Sequence, residues 1–114
     1  MKRVPKWLGL LVMVLGIAGC ATGALKQKET SAGSAKDLAR KYNCLACHAV
    51  DKTLVGPSFD DVAKKYKGDS GAEARLIATV KAGGGGVWGQ LPMPPNNVPD
   101  ADIKVLVRWI LSLQ

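Results

Sequence analysis

Two cysteines and a histidine stand at a spacing that can bind a cofactor covalently. Cys44 and Cys47 are separated by two residues, and His48 follows at once. In a Cys-x-x-Cys-His pattern the two thiols add across the vinyl groups of haem, and the adjacent imidazole reaches the iron. A thioredoxin-type redox pair and half of a zinc site are the competing interpretations. The first needs a βαβ context and the second needs four ligands, so the motif predicts one covalent c-type haem.

The second axial ligand of the iron must be a different residue type, because His48 is the single histidine of the chain. Met93 is the only methionine beyond the first nineteen residues, and three prolines lie within two residues of it. Prolines fix the backbone and remove amide donors, so a stiff loop holds this sulfur. Gap-filling in the core is the alternative role for a methionine. We predict His48 and Met93 as the axial ligands, which leaves no open position at the iron for catalysis on a small molecule, and so no enzyme.

Glycines occur close to both predicted ligands. We expect the Pro57 carbonyl, which follows Gly56, to accept the other ring N–H of His48 and so fix the imidazole. A turn that merely reverses the chain is the simpler interpretation. Residues 83–86 are four glycines, which allow the backbone to approach a flat ligand closely, and Trp88 can offer its indole N–H to a haem propionate. A phosphate-binding loop is disfavoured, because no Gly-Lys-Ser/Thr follows.

The N-terminal region has the pattern of an export signal. Three cations precede an uncharged, mostly apolar run of thirteen residues, which is too short to span a bilayer as a helix. Cys20 follows small residues as in a bacterial lipobox, so we predict a signal peptide over 1–19 and lipidation of Cys20. Cleavage after Ala24 is the alternative. Residues 20–34 are rich in small residues and lysine and are predicted to form a flexible, lipid-anchored tether.

The rest of the chain predicts short helices and no strand of useful length. Ser34 is expected to cap a helix that runs to about Tyr42 and leads into the haem attachment segment. Apolar residues at helical spacing predict two more helices over 60–67 and 72–82. A glycine follows each of them as a stop signal, at Gly68 and Gly83.

The last helix is predicted to open at Pro99 and Asp100. Its apolar residues recur on one face, and they are Ile103, Leu106, Val107, Ile110 and Leu111. Trp109 is expected to pack beside the first helix. The class is therefore all-α, and the haem supplies core that a domain of about 80 residues otherwise lacks.

With these segments identified, the chain resembles the small bacterial class I cytochromes c, and most closely the short periplasmic carriers that donate electrons to nitrite reductase. The resemblance covers residues 35–114, and the motifs that carry it occur in the same order. They are the attachment site, Val55-Gly56-Pro57, Gly86-Val87-Trp88-Gly89, Pro92-Met93-Pro94-Pro95-Asn96 and Arg108-Trp109-Ile110-Leu111. It implies the class I cytochrome c fold, about four short helices and loops wrapped round one covalent haem.

The resemblance also implies roles for individual residues. Cys44 and Cys47 would bind the haem and His48 and Met93 the iron, while Trp88 would contact a propionate and Asn96 would hydrogen-bond the Met93 sulfur. One departure concerns the first helix, where this chain has Ala39 in place of the aromatic residue of many relatives. Tyr42 is expected to fill that space.

The charge balance favours a protein partner over nucleic acid. Without the three cations of the signal, 13 Lys and Arg stand against 9 Asp and Glu, a net charge of +4, and no basic run is interleaved with aromatic residues. We therefore expect a periplasmic, membrane-anchored one-electron carrier that docks to redox proteins with an acidic face, with Lys52 and Lys81 as candidate contacts. A haem peroxidase, a gas sensor and a fixed subunit of a larger oxidoreductase are the alternatives.

Overall fold

The computed structural model describes residues 34–113, which contain four α-helices and one short 3₁₀ turn. The helices are α1 over 34–41, α2 over Phe59–Lys65, α3 over Ala72–Ala82 and α4 over Asp100–Leu111, and the 3₁₀ turn is Cys44–Ala46. Across 34–113 the only β-type pairings are two isolated bridges, so the all-α prediction is confirmed. The predicted signal peptide and Cys20 lie outside the described residues.

Helix α1 already includes Ser34, the first residue that the structure describes. The prediction that Ser34 itself is the cap is therefore wrong. The helix ends at residue 41, one residue before the expected limit. Asn43 then adopts a left-handed conformation with φ 58°, which turns the chain into the 3₁₀ turn.

Helix α2 is shifted towards the N-terminus relative to the predicted 60–67. Ser58 is its N-cap, and the Ser58 hydroxyl accepts a hydrogen bond from the Asp61 backbone N–H at 3.0 Å. A serine at this position satisfies one of the amides that a helix start leaves without a partner. The helix ends at Lys65, and the expected stop residue Gly68, with φ 76°, completes the turn that follows.

Helix α3 has the predicted bounds, and α4 begins where it was predicted to begin. Gly83 ends α3 with φ 74°, a conformation that a side chain rarely adopts. Pro99 precedes α4, whose first turn carries Asp100 and Asp102 and whose last turn carries Arg108. Acidic residues at the start of a helix and a basic residue at its end complement the helix dipole.

The core has two parts, and α4 contributes to both. Trp109 packs with Ala35 of α1 and with Phe59 of α2, whose ring it meets edge-to-face at 5.5 Å. The predicted contact between Trp109 and the first helix is therefore confirmed. Among the described residues, no helix is long and apolar enough to cross a membrane.

The second part of the core joins α4 to α3 and to the end of α1. Ile103 and Val107 are buried with Val98, and side chains of α3 and Tyr42 pack against them. The Tyr42 hydroxyl donates a hydrogen bond of 2.6 Å to the Asp102 carboxylate, which fixes this ring between α1 and α4. Ala39 is fully buried, so no larger side chain is needed at its position.

Candidate haem-binding site

The 3₁₀ turn brings the two cysteines and the histidine of the motif together. The backbone N–H groups of Cys47 and His48 both donate to the Cys44 carbonyl, at 3.2 and 3.0 Å. Both cysteines are free thiols and partly buried, and they line one cavity with His48. Burial raises the pKa of the Cys44 thiol. Two thiols and an imidazole within one short turn are the groups that covalent haem attachment requires.

Three neighbours hold the imidazole of His48 in place. Its Nδ1 donates to the Pro57 carbonyl at 2.8 Å, the contact that the sequence predicts. The ring stacks on Phe59 at 5.3 Å, and a Cβ on Gly56 would lie only 2.6 Å from the ring carbon Cε1. Because Nδ1 is engaged with a carbonyl, Nε2 is the nitrogen that remains to bind a metal.

The Met93 loop is fixed to the end of α3 by its backbone. Gly84 and Met93 exchange two hydrogen bonds, of 3.0 and 2.7 Å between N and O. A Cβ on Gly83 would lie 2.6 Å from the Met93 carbonyl oxygen and 2.9 Å from the Pro95 nitrogen. The glycine run therefore allows the chain to approach its own Met93 loop closely, and its approach to a flat ligand stays a prediction.

Two adjoining cavities, of about 290 and 140 Å³, connect these segments. Cys47, His48 and Met93 line both cavities. The same walls also contain Leu76, Thr79 and Pro94. The structure thus brings residues of the attachment turn and of the proline-rich loop together, although more than forty positions separate them in the sequence. A larger open groove of about 670 Å³ lies elsewhere, between Lys81 and Asp100, and has no Cys, His or Met in its wall.

Trp88 and Asn96 line different cavities. Trp88 belongs to the larger one, and its side chain is partly exposed. Asn96 belongs to the smaller one, and its Nδ2 donates to the Pro94 carbonyl at 2.8 Å. The Pro94 carbonyl stands two residues before Asn96 in the chain, within reach of this side chain. An amide carries a second N–H on Nδ2, which the hydrogen bond to Pro94 leaves for another acceptor.

Several residues of the site were missed from the sequence. Phe59 and Val62 of α2 and Thr79 of α3 line the cavities, and so does Tyr66 directly after α2. Tyr66 and Val62 were recognised only as a helical apolar pair, and nothing in the sequence indicated a site role for Thr79. The apolar face of α3 was predicted, and Leu76 from this face contacts both cavities.

The residues present fit a haem group. A soft thioether and an imidazole lie in the walls of the same cavities as a Cys-x-x-Cys turn, and the lining of the smaller cavity is largely apolar. Gly56 and Gly83 occupy positions where a Cβ would collide with His48 or with the Met93 loop. This combination of an S ligand, an N ligand and two thiols is that of c-type haem proteins.

Comparison with known proteins agrees with the geometry. The family model for cytochrome c matches residues 32–114. A cytochrome c-551 of Allochromatium vinosum is 60% identical over 77 residues, covering 67% of this chain and 82% of the relative. A cytochrome c-552 of Hydrogenobacter thermophilus is 47% identical over 105 residues, covering 92% of this chain and 96% of the relative.

A solved structure shows the same fold. The crystal structure of Nitrosomonas europaea cytochrome c552 matches with a TM-score of 0.68 and 52% identity, and the match covers 69% of this chain and 99% of that one. The helices, the thiol pair and the sequence likeness all point to one family. The chain therefore belongs to the cytochrome c family, as a small class I electron-carrier cytochrome with one covalently attached haem c.

Proposed function

We propose that this cytochrome carries single electrons with His48 and Met93 as axial ligands and with Cys44 and Cys47 as the haem attachment residues. One observation carries the proposal, namely that His48 and Met93 lie in the walls of the same two cavities. The backbone also fixes each ligand segment. The Gly56 N–H donates to the carbonyl of Cys47, next to His48, and Met93 exchanges two hydrogen bonds with Gly84. Ligands held in this way need little rearrangement when one electron enters or leaves.

The ligand types fit a carrier better than an enzyme or a sensor. Bound haem supplies a one-electron Fe(III)/Fe(II) couple, and a thioether ligand favours the reduced iron. The two backbone hydrogen bonds between Gly84 and Met93 hold the methionine segment at the end of α3, and its sulfur would then fill the second ligand position of the iron. Redox proteins are therefore the partners, and electrons would pass through an edge of the bound haem.

Three further residues support the ligands in this proposal. The Pro57 carbonyl orients the His48 ring through the 2.8 Å contact with Nδ1. Trp88, in the wall of the larger cavity, donates its indole N–H to a propionate. The hydrogen bond to the Pro94 carbonyl uses one of the two N–H groups on Asn96 Nδ2. In this proposal the other N–H donates to the Met93 sulfur.

Carbon monoxide binding to the reduced, haem-loaded protein tests the ligand proposal. If Met93 stays on the iron, carbon monoxide must wait for the methionine to leave, and binding is slow. The Met93→Ala variant is the control, because it opens the position and should bind carbon monoxide rapidly. Rapid binding by the native protein, at the rate of the variant, would favour the gas-sensor or peroxidase alternative.

We propose that the docking surface lies at the rim of the larger cavity. Val55, Val87, Trp88 and Leu91 line this cavity and are among the exposed large apolar side chains. Lys52 is exposed in the neighbouring loop. Lys81, the other expected contact, pairs with Asp100 at 2.7 Å, which offsets part of its charge. An apolar patch with cationic surroundings suits brief contact with an acidic redox partner.

Electron-transfer rates with a natural or surrogate acidic acceptor, measured at several salt concentrations, test this surface. Lys52→Ala is expected to lower the rate and flatten its salt dependence, and Lys81→Ala to have the smaller effect because of its pairing with Asp100. Lys104→Ala on α4 is a matched control for loss of one charge. If the Lys52 and Lys104 variants behave alike, the docking surface is assigned wrongly.

We also propose that the protein is exported to the bacterial periplasm and anchored by lipid at Cys20. The support comes from the sequence, since small residues precede the cysteine and a polar segment follows it. More than one acyl chain is needed for stable anchoring, and lipoprotein modification supplies it. In cell fractions the native chain is expected with the membranes and Cys20→Ala with the soluble periplasm. Native protein in the soluble periplasm would indicate cleavage at a later site, such as after Ala24.

A further inference from the structure

Lys65 stands out among the cations because its nearest described partner is an aromatic ring. Its Nζ lies 5.3 Å from the ring centroid of Trp88, which lines the larger cavity. Between residues 34 and 113 six ion pairs form, and Lys65 belongs to none of them. The last residue of α2 is thus joined to the loop that follows α3, across a separation of 23 positions.

The other charged groups near this part of the cavity already have partners. Lys64 lies 4.0 Å from Asp61, and Arg75, which covers the Tyr66 ring at 5.9 Å, pairs with Asp69. Each of these cations is offset by a carboxylate. Tyr66, the next residue in the chain, forms part of the cavity wall, so Lys65 lies beside this cavity. Of the three cations, Lys65 is therefore the one that is available to bind an anion there.

We propose that Lys65 binds a haem propionate, together with Trp88, at the mouth of the larger cavity. The inference rests on the proposed function, because it requires the haem to lie in this cavity. Haem carries two carboxylates, and an ammonium group beside an aromatic ring at the cavity mouth matches one of them in charge. Lys65 is thus a positioning residue for the cofactor, and it holds one propionate in its ionised form.

The proposed ion pair between Lys65 and the propionate can be detected in the pH dependence of the reduction potential. A nearby cation favours the ionised carboxylate and lowers its pKa. Loss of a proton from a propionate stabilises Fe(III), so the potential falls as pH rises through this pKa. Removing the cation must move that fall to higher pH.

Redox titrations of the haem-loaded protein between about pH 4 and pH 9 test the proposal. Lys65→Gln is expected to lower the acid dissociation constant of the propionate three- to tenfold. The decrease in reduction potential should then occur at a pH that is higher by about half to one unit. Lys65→Arg retains the charge and should keep the native profile. Lys67→Gln removes an equal charge two residues away and is the matched control, also expected to keep it.

The results of these titrations test the role of Lys65 separately from the ligation of the iron. A profile that is unchanged in Lys65→Gln, or that moves equally in Lys67→Gln, would overturn the assignment of Lys65. Loss of stability in Lys65→Gln without any change of profile would show that the contact with Trp88 is purely structural. The far-red absorption band of the oxidised protein reports separately on Met93 ligation. If this band is absent from the native protein, it is the proposed ligand set that fails.

Discussion

Replacing Gly56 by alanine tests how closely the chain encloses the predicted proximal ligand. An added Cβ would lie 2.6 Å from Cε1, 2.9 Å from Nδ1 and 3.1 Å from Nε2 of His48, so it meets the face of the ring. The ring cannot retreat freely, because it stacks on Phe59 and its Nδ1 donates to Pro57. The backbone at Gly56 needs no positive φ, so the expected loss comes from this collision.

The size of the effect follows from two terms. Forcing one extra carbon into a packed site costs about 1 to 3 kcal/mol. Displacing the His48 ring from the Pro57 carbonyl costs about 0.5 to 1.5 kcal/mol more. We therefore expect Gly56→Ala to lower the free energy of unfolding by about 1.5 to 4.5 kcal/mol in urea titrations of the haem-loaded protein.

Gly84→Ala is the matched control for this experiment. Its added Cβ would meet only the Thr79 methyl carbon, at 3.6 Å, which is an ordinary contact. We expect a change within about 0.5 kcal/mol. If Gly56→Ala costs no more than Gly84→Ala, then His48 is not enclosed in the way that this structure shows.

Two further substitutions test the segments around the site. Gly83→Ala combines a φ of 74° with a Cβ only 2.6 Å from the Met93 carbonyl oxygen, so we expect it to cost about 2 to 4 kcal/mol and to weaken the far-red band. A stable variant with an unchanged band would contradict the proposed packing of the Met93 loop. Ser58→Ala removes the hydroxyl that accepts from Asp61 and should lower the free energy of unfolding by about 0.5 to 2 kcal/mol, with the spectrum unchanged. A spectral change in that variant would mean that the cap also controls the haem site.

The helices could be predicted where their signals are local. Gly83 and Pro99 carry their own backbone preferences, so α3 has the predicted bounds and α4 begins where it was predicted to begin. The bounds of α2 were predicted less accurately, because the prediction relied on the spacing of the apolar pair Val62 and Tyr66. The serine before the helix was the better signal, since Ser58 accepts a hydrogen bond from the third residue of α2.

The ligand candidates could be predicted because their chemistry leaves few choices. One histidine and one methionine remain after the predicted signal peptide, and the thiol pair has a fixed spacing. The supporting contacts depend on tertiary structure and could not be predicted in the same way. The hydrogen bonds between Gly84 and Met93, and the position of Lys65 above Trp88, join segments that no local pattern connects.

The visible spectrum of the oxidised, haem-loaded protein tests the central claim most directly. The weak far-red band that arises from a sulfur-to-iron bond is expected in the native protein and in Lys65→Gln. It should be absent from Met93→Ala, whose thiol attachment at Cys44 and Cys47 is intact. A native spectrum that is high-spin or lacks this band would contradict ligation by His48 and Met93, and with it the account of the protein as a carrier with both axial positions filled.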